Sequence, residues 1–358
     1  MKYKREMEKY INLIEPADFP SLFFAHPPNE FVVERALGDL LLFRTEFDLL
    51  TTLETEALAK LRKSPFFALW SRLFKWRACF VGTTVTEYLP LPSSVNPKLL
   101  IEEMRKAGGQ ASITIVKDLP CESPFLGREE NDYTQALVEE GMRQGFLELS
   151  GLALAYVPLD FSSVEEYLKG LSHNRRKEMR RKLKSAAVLE IQSIPLGSPV
   201  FSDPKLLAEY YSMYMEVFQQ SELKFDCLSR EFFRTLLSGR FGAGLAVVYK
   251  HEGNLVCYNI CLLHNGFFID KYIGFKYPLA RRLNLYFVSW LYNLKLALEY
   301  NCKFYVAGWT DPEVKQALGA QFTFTRHLVW IKNPVLRKLL YPFRRYFEFD
   351  RKVFLEGP

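Results

Sequence analysis

Between residues 241 and 333 the spacing of apolar positions alternates between the period of a strand and that of a helix. Phe241–Lys250 (FGAGLAVVYK), Leu255–His264 (LVCYNICLLH) and Phe267–Phe275 (FFIDKYIGF) are apolar, β-branched runs of strand length. His251-Glu252-Gly253-Asn254 and the hairpin dipeptide Asn265-Gly266 separate them, so an antiparallel meander is predicted. Lys276–Arg282 (KYPLARR) reads as a loop. From Leu285 to Tyr300 the apolar residues recur at helical spacing, with Asn284 placed to cap the start and Asn301 to stop the helix. Lys303–Ala307 is a short buried strand, which the intervening helix predicts to be parallel to the third strand. Asp311 as N-cap and Pro312 in the first turn open a short helix that Gly319 ends, and Phe322–Lys332 is the last strand.

The first half repeats this order. Asn29–Glu46 predicts a hairpin around Gly38-Asp39, Arg77–Leu89 a strand, Asn96–Ala107 a helix, Ala111–Lys117 a strand, Glu130–Arg143 a helix stopped by Gly145, and Phe146–Pro158 a closing strand. Two helix–strand–helix–strand runs in the same order favour duplication, and their spacing is too long for a small-period repeat array. The fold class is α/β with a mixed sheet in each half.

Composition changes this picture little. The 358 residues suffice for two domains, and 49% hydrophobic with 25% charged residues is ordinary for a globular chain. The aromatic share of 15% is high and suits large aromatic cores or a groove for an apolar ligand. A net charge of +6 fits a phosphate-bearing ligand, a nucleic acid or an anionic membrane surface without choosing among them. The opening Met1-Lys2-Tyr3-Lys4-Arg5-Glu6 lacks the form of a secretory signal, and no window reaches the ~20 apolar residues of a spanning helix. The six cysteines show no framework spacing and read as reduced, which fits a cytoplasmic location; the five histidines form no metal pattern.

Three antiparallel strands followed by helix, strand, helix and strand is the core order of the GNAT-type acyltransferase fold, which this chain resembles. In that fold the loop after the third strand wraps the pyrophosphate of acyl-CoA through backbone N–H groups and the following helix N-terminus. The equivalent stretch here, Arg281-Arg282-Leu283-Asn284-Leu285-Tyr286, keeps arginines but lacks the usual glycines. Gly308-Trp309-Thr310-Asp311 through Lys315 to Leu318-Gly319, together with Ser172-His173-Asn174-Arg175-Arg176-Lys177 after the Asp160-Phe161 entry, resembles the CelD/BioF-like and FemAB-like acyltransferases over roughly residues 75 to 335. The resemblance implies tandem GNAT-like lobes: residues 1–159 as a degenerate N-terminal lobe, 160–345 as the acyltransferase lobe and 346–358 as a tail. It implies acyl-CoA or aminoacyl-tRNA as donor, with no permanently bound cofactor. The acceptor would be an amine on a small molecule or a cell-wall precursor.

N-acyl transfer needs deprotonation of the amine, stabilisation of an oxyanion and protonation of the leaving group. By the strand period of two, Asp270 and Tyr272 share a face beside the donor loop. Asp270 is the candidate base, and Tyr272 or Tyr258 the candidate acid, against the alternative that they are sheet residues. The resemblance places the donor on Arg281, Arg282, Asn284 and Tyr286, with Lys315 steadying an anionic group unless it is a surface lysine. Asn174, Arg175, Arg176, Arg180 and Trp309 would line an acceptor or anion groove. The basic run from Arg175 to Lys184 also reads as a solvated face; a DNA-reading helix lacks any supporting motif, so DNA is not an expected partner. Pro65–Phe80 and Asn333–Lys352 mix aromatic and basic residues in a way that suits either core packing or peripheral contact with the inner membrane face. The rival to an enzyme is a non-catalytic module of the same fold that binds RNA or an anionic surface.

Overall fold

The computed structural model describes residues 10–52, 61–67, 71–93, 95–221 and 224–340. The tail 346–358 and most of Asn333–Lys352 lie outside the described residues, as do residues 68–70 of the other aromatic-basic segment. In chain order the strands of four residues or more are β1 (Val32–Arg35), β2 (Leu41–Asp48), β3 (Lys75–Val81), β4 (Ile113–Cys121), β5 (Leu147–Pro158), β6 (Glu190–Pro195), β7 (Gly244–His251), β8 (Asn254–His264), β9 (Phe267–Phe275), β10 (Phe304–Gly308) and β11 (Gln321–Ile331). The helices are α1 (Phe19–Ala25), α2 (Pro97–Gly108), α3 (Arg128–Arg143), α4 (Val164–Gly170), α5 (His173–Leu183), α6 (Pro204–Gln220), α7 (Arg230–Leu237), α8 (Leu279–Arg282), α9 (Leu285–Glu299), α10 (Pro312–Ala317) and α11 (Pro334–Leu340). Among the described residues no helix is long and apolar enough to cross a membrane.

The chain forms two units. One comprises Met1–Leu13, Glu30–Ala153 and Thr323–Pro358; the other comprises Ile14–Asn29 and Leu154–Phe322. A single cut after residue 159 is thereby corrected. The closing strand of the first half, β5, passes into the second unit at Leu154, and the closing strand of the second half, β11, lies from Thr323 in the first. Consecutive elements usually neighbour one another, and the local pattern that marks a strand carries no record of which sheet accepts it.

In the first unit β1, β2 and β3 run antiparallel, β3 and β4 pair in parallel, and β11 pairs antiparallel with β4. The amphipathic helices α2 and α3 bury Leu100, Ile101, Met104, Leu137 and Val138 with Val81, Val116, Leu119 and Leu328. The predicted strand Arg77–Leu89 stops at Val81, where the chain turns at Gly82.

In the second unit the order is β5, β10, β9, β8, β7, β6, with β9 and β10 parallel and the other neighbours antiparallel. The meander is as the hydrophobic runs predict. Asn265 and Gly266 have φ of 46° and 84°, the pair of left-handed residues that a tight hairpin of matching twist requires. α9 is apolar nearly all round, and it buries Leu285, Val288, Trp290, Leu291, Leu294, Leu296 and Ala297. Each fully buried Leu or Val contributes about 1.5–3 kcal/mol, which anchors α9 over one face of the sheet. α6 and α7 cover the other face: Tyr258 stacks on Tyr210 of α6 at 4.2 Å, and Tyr272 meets Phe232 and Phe233 of α7.

Candidate functional site

The parallel pairing of β9 with β10 covers Phe267–Ile269 against Phe304–Val306 and goes no further. β9 continues to Phe275, while β10 stays with β5 as far as Gly308, opposite Ala155. The two strands therefore part beside Asp270 and leave a gap there. Gly308 stands on the far side with φ +81°, and a Cβ there would meet nothing nearer than Lys315 Nζ at 3.9 Å and the Asp270 carbonyl at 4.0 Å. A side chain at that left-handed position would be strained and would intrude on the gap.

A register shift between Ile260 and Cys261 of β8 pairs Ile260 with Tyr272 but Cys261 with Asp270, which leaves Lys271 as the extra residue of a bulge. The shared face predicted for Asp270 and Tyr272 is thereby corrected: the bulge breaks the alternation. Asp270 faces α9 and Tyr272 faces α7. Tyr258 also lies on the α6 face, buried, with its hydroxyl donating to the Tyr210 carbonyl at 2.8 Å. Tyr258 and Tyr272 are thus removed from Asp270. The bulged Lys271 reaches Glu15 with Nζ–Oε1 at 3.0 Å, and both side chains are buried.

Asp270 gathers a polar cluster inside an apolar layer. Asn259 Nδ2 donates to both carboxylate oxygens at 3.0 Å, Asn293 Nδ2 donates to Oδ2 at 2.9 Å and the Tyr305 hydroxyl donates to Oδ2 at 3.2 Å. Oδ2 thus has three donors. Oδ1 has two, the Asn259 amide and the Cys261 thiol at 3.8 Å. Burial pushes the Asp270 carboxyl up, while the Asn259 and Tyr305 hydrogen bonds, the charge of Lys315 and the Asn293 hydrogen bond pull it down. Asn259 Oδ1, Asn293 Oδ1 and Tyr286 Oη are buried without a hydrogen-bond partner among the described residues. Each such group costs about 1–3 kcal/mol, and concentrations of this kind mark sites built for something other than stability. Asn259, Asn293 and Tyr305 were missed by sequence reasoning. For the two asparagines a signal was present: single amides inside the apolar runs LVCYNICLLH and LYFVSWLYNLKLALE.

Lys315 is 4% exposed, which sets aside the surface-lysine reading. Its Nζ donates to the Gly308 carbonyl at 3.1 Å, so a cation stands at the far wall of the gap. α10 is held in place from behind: the Trp290 indole donates to Tyr167 Oη at 3.1 Å, and the Tyr167 hydroxyl donates to the Leu318 carbonyl. Asp311 and Asn284 occupy N-cap positions but in left-handed backbone, and neither side chain caps its helix. Asn284 Nδ2 instead donates to Ser185 Oγ at 3.3 Å. Tyr286 lies in the first turn of α9; burial pushes its hydroxyl up, and the charges of Asp311 and Asp270 add to that.

The expected donor loop is in part the short helix α8. Arg281 and Arg282 are both exposed, and Arg281 donates to Gln220 at 3.0 Å and lies over Tyr277. Across the Asn284–Ser185 contact stands the basic helix α5, packed through buried Met179 and through Lys182, whose Nζ lies 3.2 Å from the Phe287 ring centre. Asn174, Arg175 and Arg180 are exposed and Arg176 is half-buried. Arg175 and Arg176 donate to the carbonyls of Gln316 and Lys169, and Arg180 pairs with Glu165. Lys177, Arg181, Lys184 and Arg282 are exposed and make no ion pair among the described residues. Trp309, half-buried, comes directly after the end of β10.

The corresponding place in the first unit is filled. The pairing of β3 and β4 stops at Val81 and Val116, and the chain after Gly82 returns into the opening: Leu89 N donates to the Asp118 carbonyl at 3.0 Å, and Lys117 Nζ to the Thr83 carbonyl at 2.9 Å. Val85, Tyr88 and Leu89 of this loop are buried.

The fold is shared with solved structures at low identity. FemX matches with a TM-score of 0.55 at 10% identity, covering 95% of this chain and 99% of that one. L-PGS from Bacillus licheniformis matches with a TM-score of 0.54 at 9% identity, covering 93% and 97%. The C-terminal domain of a putative lysylphosphatidylglycerol synthetase from Agrobacterium fabrum gives 0.54 at 11%, covering 87% and 86%. No curated protein sequence matches the chain. A family model described as peptidoglycan biosynthesis/recognition matches residues 90–353, well over half of the chain. That span takes in the parted strands, the Asp270 cluster and Lys315, and with it this chain belongs to the FemAB-like family.

Proposed function

We propose that the chain transfers an aminoacyl group from aminoacyl-tRNA to an amine of a cell-wall precursor. FemAB-like membership supports a transferase in the general sense. The observation that carries the finer reading is the parting of β9 and β10 beside Asp270, with the buried ammonium of Lys315 opposite. In the proposed reaction the acceptor nitrogen attacks the ester carbonyl carbon. The carbonyl oxygen takes the electron pair, and a cation in a site shielded from water stabilises it far better than one in solvent. Collapse re-forms the carbonyl and breaks the carbon–oxygen bond to the tRNA ribose. The nitrogen gives up a proton and the leaving ribose oxygen gains one.

Two features favour aminoacyl-tRNA over acyl-CoA. The loop before α9 carries the side chains of Arg282 and Asn284 where close approach of a pyrophosphate to backbone needs glycine. The exposed cations of α5 and α8 flank the gap over an extended surface, which suits a polyanion. The filled opening of the first unit supports a single donor site per chain. Charged tRNA as donor would place the reaction in the cytoplasm.

Thermal unfolding with bulk aminoacyl-tRNA, deacylated tRNA and acyl-CoA tests the assignment. A ligand at 100 times its Kd stabilises by about 2.7 kcal/mol, a readily measured shift. Stabilisation by aminoacyl-tRNA beyond that by deacylated tRNA is expected. A second reading, a non-catalytic RNA-binding module, is favoured by the unpaired cations of α5. It would give equal shifts with charged and uncharged tRNA and no transfer.

A further inference from the structure

We infer that Asp270, Asn259 and Asn293 form a pocket for the free α-ammonium of the donor's amino acid, so that the site accepts aminoacyl esters and rejects acyl groups lacking that charge. This rests on the transferase reading of the same gap and names what the donor must carry.

A carboxylate that served only to hold the sheet together would have its neighbours satisfied. Here the reverse holds. Two amides, both 0% exposed, spend their N–H groups on Asp270, and amide planarity leaves each Oδ1 beside the carboxylate with nothing to accept from. Two amide oxygens with unused lone pairs beside one negative charge ask for a compact donor of several hydrogen bonds carrying positive charge. An ammonium is that group, with three N–H bonds and one charge. A hydroxyl would satisfy one oxygen, and a second carboxylate would be repelled. Asp270 is only partly buried, unlike the two asparagines.

The opposite wall fits the rest of the same small molecule. In an α-amino ester the ammonium and the carbonyl oxygen are separated by two carbon atoms. The gap offers a carboxylate on β9 and the Lys315 ammonium facing it beyond Gly308, close enough for the Lys315 charge to act on Asp270. Anion for ammonium and cation for carbonyl oxygen is a dipolar complement of an aminoacyl group. An acyl thioester offers only the second half. Tyr286 Oη, buried without a partner and within the field of Asp270, stands ready for a further polar contact.

The test compares three pools by competition filter binding to the full chain: bulk aminoacyl-tRNA, the same pool N-acetylated on the α-amine, and deacylated tRNA. Acetylation removes the charge and leaves the ester and the tRNA intact. The free-amine pool is expected to bind about tenfold tighter than the acetylated one, the size of one charge-assisted contact. In Asp270→Asn, and in Asn293→Leu as a second variant should the first fold poorly, that ratio is expected to fall to about one while binding of deacylated tRNA stays unchanged. A base at Asp270 would leave the ratio intact. Equal binding of free-amine and acetylated pools to the unaltered protein, both tighter than deacylated tRNA, overturns the ammonium pocket and leaves the donor assignment standing. Binding of none of the three pools overturns both.

Discussion

The bulge at Lys271 decides which residues share the site with Asp270, and the buried pair Glu15–Lys271 holds that bulge. Lys271→Met is the informative perturbation, because it keeps the length of the stem and deletes only the charge. The Lys271 and Glu15 side chains are 5% and 0% exposed, and Nζ–Oε1 is 3.0 Å. Breaking a buried pair by removing one partner costs about 3–5 kcal/mol, because the surviving charge loses compensation it cannot recover from water. The unit concerned has roughly 185 residues, a size at which each kcal/mol moves Tm by about 2–4 °C. A fall of about 6–20 °C in the transition of that unit is expected by calorimetry. The double variant Glu15→Gln, Lys271→Met replaces both charges by neutral groups of similar volume and is expected to recover most of the loss, so that the two single effects are far from additive in the double-mutant cycle. If Lys271→Met costs under about 1 kcal/mol, or if the two single effects simply add, the pair does not hold the bulge and the reasoning fails.

The same geometry fixes further outcomes. Lys315→Met, which keeps the buried stem, is expected to lower transfer to the amine acceptor by about 10²–10³-fold, with KM changed less than kcat; a rate within threefold of the original would refute its part in oxyanion stabilisation. The Arg281→Ala, Arg282→Ala double variant removes two exposed cations and is expected to reduce the slope of log affinity for tRNA against log salt by about 1.4, as read by filter binding across salt concentrations; an unchanged slope would place the tRNA elsewhere. In the first unit burial lowers the pKa of His327, whose Nδ1 accepts from the Asp118 N–H at 3.0 Å. The folded value lies below the unfolded one, so the unfolded chain binds the proton first, and stability is full above the ordinary value of 6.5 and falls as pH drops below it. His327→Asn is expected to remove this component, at most about 1.4 kcal/mol per pH unit, from urea unfolding measured between pH 5 and 7.5.

Much of the second unit was legible because its signals are local. Asn265-Gly266 names its own turn, the runs on either side have strand length, and the apolar run from Leu285 onward is too long for a strand and so marks α9. Side-chain direction around the site was not. The period of two is a property of an unbroken strand, and one extra residue at Lys271 inverted it. Asn284 and Asp311 were placed correctly at helix starts and given the wrong task, because a capping residue is recognised by type while its backbone angle is set by the packing of the helix it precedes.

By itself the sequence determined the order of elements, the meander, the parallel return of β10 and the membership of Asp270, Tyr286 and Lys315 in one region of chain. The order of elements and the meander rest on interactions between residues a few positions apart, and the parallel return on the helix that must cross over between β9 and β10. Tertiary structure alone decided the exchange of β5 and β11 between the units, the burial of Lys315, and the gathering of Asn259, Asn293 and Tyr305 on one carboxylate. These depend on which distant surfaces pack together, and the free energy of such packing belongs to pairs of segments that no local pattern contains.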